Sequence, residues 1–389
     1  MRRLWNDLSL SAIVAGFVAV LVGFTSSVVI VFAAAQALGA TPAQTTSWIW
    51  ALGLGMGLTS IGLSLWTRQP VLTAWSTPGA ALLAGSSGIA MGEAIGAFVA
   101  CGALIVLAGV TRAFERVMDR IPQAIAAALL AGVLARFGLD AVGAVKTAPL
   151  LVIAMAAVFL LGRRAWPRYA VPGVLLAGIA VAAWQGRLHT AAIRWDLAIP
   201  VWTMPVFSLS ALVGVALPLF VVTMASQNLP GVAAQRAAGV AVPVSPAITA
   251  TGAASMLLAP FGGYAFNLAA ITAAICMGRE AHEDPARRYV AAVAAGVFYL
   301  LLGLLGGAVV GLLEAFPREL VLAVAGLALL GTITGALAAA LKDEKHRDAA
   351  GLTFLVTLSG ITLAGVGAAF WGVVAGSLAL MVQHYRSRS

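Results

Sequence analysis

Apolar runs of roughly twenty residues, parted by short polar or charged stretches, recur from one end of the chain to the other. A helix needs about that length to cross the hydrocarbon core of a bilayer. The pattern predicts spans over 10–36, 44–66, 92–111, 121–138, 147–162, 170–185, 208–228, 245–259, 288–313, 319–341, 350–366 and 368–384. Two further apolar segments, 70–89 and 261–277, are interrupted by TAWSTPG (73–79) and GGYAFNLAAI (262–271). With them the count is fourteen elements, seven on each side of a polar-flanked loop near 186–206. The start, MRRLWNDLSL, has the shape of a signal peptide, but its apolar run continues to about Leu38, too long for a cleaved segment. It reads as an uncleaved first span.

Composition agrees with this pattern. The chain is 61% hydrophobic and 10% charged, more apolar surface than a soluble domain of this length can hide. The formal charge of +9 does not point to nucleic acid, because the basic residues are scattered through short loops. In such a protein they report orientation. With the N-terminus cytoplasmic and sides alternating, only Arg136, Lys146, Arg187, Arg194 and Arg318 of the 23 Lys and Arg residues fall outside. Omitting either broken segment would reverse every later loop and spoil this asymmetry, so both are expected to cross, with both termini in the cytoplasm. Seven crossings per half require the second half to be inserted upside down. The expected organisation is therefore an inverted repeat, 1–186 and 187–389, of the kind built into many secondary transporters.

Metal and redox chemistry find no foothold. Cys101 and Cys276 lie in apolar segments and His189, His282, His346 and His384 in loops or the tail, with no Cys/His cluster. No cofactor is expected. Many of the 42 glycines stand at small-xxx-small spacing, as in Gly53/Gly57, Gly92/Gly96, Gly303/Gly307/Gly311 and Gly331/Gly335. Helices pack closely in lipid through such positions.

Irregular backbone survives in a bilayer only inside protein or along a wet cavity. In 70–89 an extended VLTAWST is followed by a helix start, with Ser76 or Thr77 as N-cap and Pro78 in the first turn. In 261–277 FGGYAF suits an extended piece, and Asn267 is expected to cap the helix that follows. Two half-helix N-termini would then converge near mid-membrane, each carrying about half a unit of positive charge. The first element adds Phe24, Thr25 and Ser26, and the eighth adds the adjacent carboxamides Gln227 and Asn228. Trp75, Tyr264 and Phe266 supply aromatic faces. No Asp or Glu falls at the centre of a span. Glu93, Asp140, Glu314 and Glu319 lie near ends, and Arg136 is the cation expected to reach inward. Cation transporters and proton pumps place carboxylates at depth. Their absence, with aromatic and polar groups at one level, suits an organic anion.

The segments TAWSTPGAAL (73–82), SQNLPG (226–231) and PFGGYAFNLAAITAAIC (260–276) resemble those of the benzoate/proton symporter family (BenE), and the likeness runs over essentially the whole chain. The family is similar in architecture to uracil permeases and sulfate-type anion transporters. The resemblance implies an all-α, seven-plus-seven inverted repeat with a core and a gate domain, each drawn from both repeats. Strand-plus-helix units would form elements 3 and 10. It implies import of benzoate or a related aromatic carboxylate across a bacterial inner membrane, with protons, by alternating access, and it leaves a homodimer open. Carried over by position, Trp75, Ser76 and Thr77 fall on the third element, Gln227 and Asn228 on the eighth, and Tyr264, Phe266 and Asn267 on the tenth. Nucleobase permeases carry carboxylates on the eighth and tenth elements, whereas this chain carries amides and hydroxyls. Proton symport is thus implied by the family alone, with Glu93 a peripheral candidate for the carrier. A transporter of sulfate or aliphatic carboxylates, or an anion channel, are the rival readings. An intramembrane enzyme would need a nucleophile, base or metal cluster that the sequence does not offer.

Overall fold

The computed structural model describes residues 7–84, 86, 88–166, 169–188, 197–306, 316–363 and 366–386. The expectations that rested on His189, Arg194, Gly307, Gly311 and Glu314 fall outside these residues. The first half runs α1 (Leu10–Ala37), α2 (Pro42–Thr67), β1 (Thr73–Trp75), α3 (Thr77–Ala84), α4 (Met91–Val110), the short α5 (Ala113–Met118), α6 (Gln123–Gly143), α7 (Pro149–Ala165) and α8 (Ala170–Trp184). The second runs α9 (Leu209–Ala237), α10 (Val244–Leu258), β2 (Phe266–Leu268), α11 (Ile271–Met277), α12 (Tyr289–Leu304), α13 (Arg318–Leu341), α14 (Arg347–Ser359), the two-residue strands β3 (Thr362–Leu363) and β4 (Val366–Gly367), and α15 (Ala368–Arg386). Among the described residues seven helices, within 42–67, 91–110, 123–146, 209–237, 244–261, 285–304 and 318–341, are long and apolar enough to cross a membrane. This is a polytopic, all-α membrane fold. Large apolar side chains such as Leu107, Leu160, Leu176 and Leu257 are exposed on its outside, where hydrocarbon rather than water is the compatible solvent.

Glycines set the closest helix crossings. A Cβ on Gly53 of α2 would lie 2.5 Å from Cα of Gly303 on α12. One on Gly102 of α4 would lie 3.0 Å from the carbonyl oxygen of Gly252 on α10. α6 packs along α13, α7 along α8 and α14 along α15, while α1 lies against α3, α11 and α12.

Proline shapes α9. Two π-helical segments, Leu212–Ala216 and Met224–Asn228, each end just before a proline, Pro218 and Pro230. A proline cannot donate to the preceding turn and its ring presses on the carbonyl four residues back, so the turn widens. The thirteenth predicted span, 350–366, stops early. α14 ends at Ser359, with Gly360 left-handed (φ 69°), and the β3–β4 pair follows.

The broken segments meet. β1 and β2 pair antiparallel, Thr73 with Leu268, Ala74 with Asn267 and Trp75 with Phe266. Side chains from neighbouring helices satisfy their outer edges. Ser60 Oγ accepts the Thr73 N–H (3.1 Å), Ser255 Oγ the Phe266 N–H (2.9 Å) and Asn228 Oδ1 the Leu268 N–H (2.9 Å). Buried backbone donors must find such partners.

Candidate functional site

The two strands deliver two helix starts to one place. A cavity of about 300 Å³ is bounded by Thr77 and Pro78 at the start of α3, and by Ala269, Ile271 and Thr272 at the start of α11. Val22, Gly23, Phe24 and Ser27 of α1, Met56, Ala74, Trp75, Gln227, Phe137 and Tyr299 close the rest. First-turn N–H groups of a helix have no backbone partner within the helix; in α3 Pro78 carries none and Ser76 takes that of Gly79, so this start offers mainly its positive potential, while α11 begins without a side-chain cap.

The walls are mostly aromatic. Phe24 meets Trp75 edge to face at 4.7 Å and lies 5.9 Å from the Tyr299 ring. Trp75 is held by its indole N–H, which donates to Ser27 Oγ (3.1 Å). Ser27 in turn donates to the Gly23 carbonyl (3.0 Å). Thr272 is different. Its Oγ1 is buried beside the Tyr299 hydroxyl and makes no well-formed hydrogen bond among the described residues. A buried hydroxyl held this loosely is available to a bound acceptor. Gly23 keeps the space open, since a Cβ there would stand 3.1 Å from Thr272 Cγ2 and 3.3 Å from the Tyr299 oxygen.

Of the residues singled out in the sequence, Phe24, Trp75, Thr77 and Gln227 line the cavity. Gln227 sits in the second π-segment of α9, which adds a residue to the turn and so changes the direction in which the side chain leaves. The side chains of Thr25 and Ser26 fall outside the described set. Ser76 is the N-cap of α3, accepting the Gly79 N–H (3.1 Å), and it accepts the Thr223 hydroxyl (2.9 Å) from α9. Asn228 is fully buried and holds β2 through Leu268.

Three residues of the tenth element are not in the wall. Tyr264 packs between Trp48 and Phe98, its centroid 5.7 Å from each. Phe266 lays its ring on Gly55 of α2, where a Cβ would collide with it. Asn267 is not a helix cap. It lies in the middle of β2, its Nδ2 donating to the Ala265 carbonyl (3.2 Å), while α11 begins four residues later with no side-chain cap. The cause is local backbone: Gly262 (φ 94°) and Ala265 (φ 39°) are both left-handed. They delay the strand to Phe266, and strand alternation then turns these side chains to other faces. Arg136 does not reach inward either. It is exposed and its guanidinium packs on Gly360, while its neighbour Phe137 faces the cavity.

Sequence reasoning missed Met56, Phe137, Thr272 and Tyr299. Thr272 and Tyr299 carried a signal, as lone hydroxyls inside otherwise apolar spans. Met56 and Phe137 carried none.

A broken pair of elements, an aromatic cavity and a loosely held hydroxyl describe a site for a small, partly apolar solute. The family model described as benzoate membrane transport protein, BenE, matches residues 6–382. This chain belongs to the BenE family. Inner membrane protein YdcO of Escherichia coli (strain K12) is 50% identical over 371 residues, covering 95% of each chain. The benzoate membrane transport protein of Acinetobacter baylyi (strain ATCC 33305 / BD413 / ADP1) is 40% identical over 383 residues, covering 98% of this chain and 97% of the relative. Among solved structures, SLC26A9 superposes with a TM-score of 0.51 at 11% identity, over 98% of this chain and 66% of that one. The transmembrane domain of the cyanobacterial bicarbonate transporter BicA gives 0.45 at 13%, over 96% of each. BenE is a family of membrane transport proteins, in line with a transporter and not an enzyme.

Proposed function

We propose that this BenE protein is a secondary active transporter that carries benzoate or a closely related aromatic carboxylate across a bacterial inner membrane. The observation that carries the reading is the cavity between the starts of α3 and α11. Phe24, Trp75 and Tyr299 form an aromatic body for the ring. The Thr77 and Thr272 hydroxyls and the uncapped start of α11 supply donors for the carboxylate, and the start of α3 adds positive potential. The name of the Acinetobacter relative supports the same substrate class.

Fourteen membrane elements in two inverted halves are supported by a symmetry of packing. Moving each element seven places along the chain turns the α2–α12 pair into α10–α4, and α7–α8 into α14–α15, while α6–α13 maps onto itself. Each edge of the central strand pair is held alike, by Ser60 on one side and Ser255 on the other. In this reading α1–α4 and α9–α12 form the core and the remaining helices the gate. Both termini are cytoplasmic, and Phe137 of α6 is the gate's contribution to the site. The core moves against the gate to expose the cavity to each side in turn.

Inward proton movement accompanies the substrate in this account. Glu93 is a poor carrier, because its carboxylate accepts the Ala90 N–H (3.3 Å) at the start of α4 and is absent from the cavity wall. Reconstituted protein should accumulate labelled benzoate, faster with an inward proton gradient, and unlabelled aromatic acids should compete better than acetate or sulfate. Uptake driven only by membrane potential or by an internal anion would replace symport with uniport or exchange.

A further inference from the structure

A second cavity, of about 490 Å³, lies on the same seam. Two helices fix its relation to the first. α11 has Ile271 and Thr272 in the central wall and Met277 and Gly278 in the second. α6, running the other way, has Phe137 in the central wall and Leu130 in the second. Each offset is six or seven residues, about 10 Å along a helix axis. The second cavity is therefore the next space along the path between core and gate, toward the arginine-rich face.

Its wall is charged where the first is aromatic. Arg163 of α7, Arg279 and Arg288 face it together with a single carboxylate, Glu280. Among the described residues none of the four belongs to an ion pair. Arg288 is fixed, its Nε donating to the His282 carbonyl (2.8 Å) and its Nη1 to that of Met277 (2.9 Å). Arg163 lies over the Phe159 ring at 5.6 Å. Glu280 lies against α13, where a Cβ on Gly331 would come within 3.1 Å of its Oε1. Gly335 meets nothing within 4 Å. The Gly331/Gly335 stripe thus opens a charged space instead of seating a helix.

We infer that this cavity is a second anion site, a relay in which a small monocarboxylate leaving the central cavity is held by Arg163, Arg279 and Arg288 and repelled by Glu280. The inference rests on the central cavity being the transport site. Three guanidinium groups attract a carboxylate and offer forked donors to it. One fixed negative charge keeps the affinity low and weighs more heavily against dianions such as phosphate. A site on an exit path must release what it captures.

The test is site-resolved protection of arginines from phenylglyoxal, read by peptide mass spectrometry on the full-length protein in zwitterionic nanodiscs. Saturating benzoate or acetate should slow modification of Arg279 by about fivefold, the effect of roughly 1 kcal/mol, with exposed Arg120 unchanged. Inorganic phosphate should protect less. Glu280→Gln should reach the same protection at about fivefold lower benzoate. Gly23→Val, which fills the central cavity, should abolish uptake and leave the protection intact. Four results overturn the inference: no protection relative to Arg120, equal protection by phosphate, protection that needs only anionic lipid, and protection lost in Gly23→Val. The two readings fail separately. Uptake with an unprotected Arg279 removes the relay alone. A protected Arg279 in wild-type protein that takes up no aromatic acid removes the central reading.

Discussion

Thr272 and Asn267 each carry a buried polar atom with no well-formed hydrogen bond among the described residues, and their surroundings differ. Thr272 Oγ1 belongs to the cavity wall; Asn267 Oδ1 is enclosed in the strand pair. Thr272→Val keeps the shape and removes only the hydroxyl. Benzoate KM in uptake assays should rise by at least about tenfold, the low end of the worth of one hydrogen bond to a charged group, with the melting temperature no lower than that of the wild type. An unchanged KM would mean the hydroxyl does not meet the carboxylate. Asn267→Asp should behave as a folding defect. A carboxylate enclosed there has no counter-charge, and such burial costs several kcal/mol, so it should melt well below Asn267→Ala. Equal melting temperatures would show that water reaches the strand pair. The polar groups of this site were readable as residue types in a hostile solvent. Which face each one takes was not, because Ala265 adopts a positive φ that nothing in GGYAFNL announces.

At the level of elements, both interruptions were legible as Pro and Gly inside apolar sequence, and Ser76 is the cap that its position beside Pro78 suggested. Their pairing was not legible. It depends on Ser60, Ser255 and Asn228 closing the strand edges from three other helices, and serines in apolar helices look like any other small residue. Gly55 is similar: its missing side chain seats the Phe266 ring. Gly55→Ala should overpack this contact and cost about 1–3 kcal/mol. The loss would appear as a lower melting temperature, relieved in the Gly55→Ala/Phe266→Leu double variant. No recovery in the double variant would place the strain elsewhere. Ser76→Ala removes the acceptor of both the Gly79 N–H and the Thr223 hydroxyl. It should cost about 1–2 kcal/mol and weaken benzoate binding, since α3 would lose its fixed start.

For the whole molecule, the apolar runs marked the seven helices that are long and apolar enough to cross among the described residues, because bilayer thickness imposes one length on such helices. Loop charge predicts the orientation. Cysteines introduced singly within 112–120, 279–288 and 342–348 should therefore react with impermeant reagents only from the cytoplasmic side, and those at 197–203 only from outside. Cys101 and Cys276 are buried, so they should leave a low background. The account as a whole stands on the cavity between α3 and α11 being the aromatic-carboxylate site. Calorimetric titration of benzoate into purified protein, beside Gly23→Val of matched melting temperature, tests this most directly. The wild type should bind benzoate saturably, with weak competition from acetate and sulfate, and Gly23→Val should lose that selective binding and keep only the weak, acetate-competed binding of the arginine-lined cavity. Undiminished benzoate binding in folded Gly23→Val, or sulfate competing as well as benzoate itself, would contradict it.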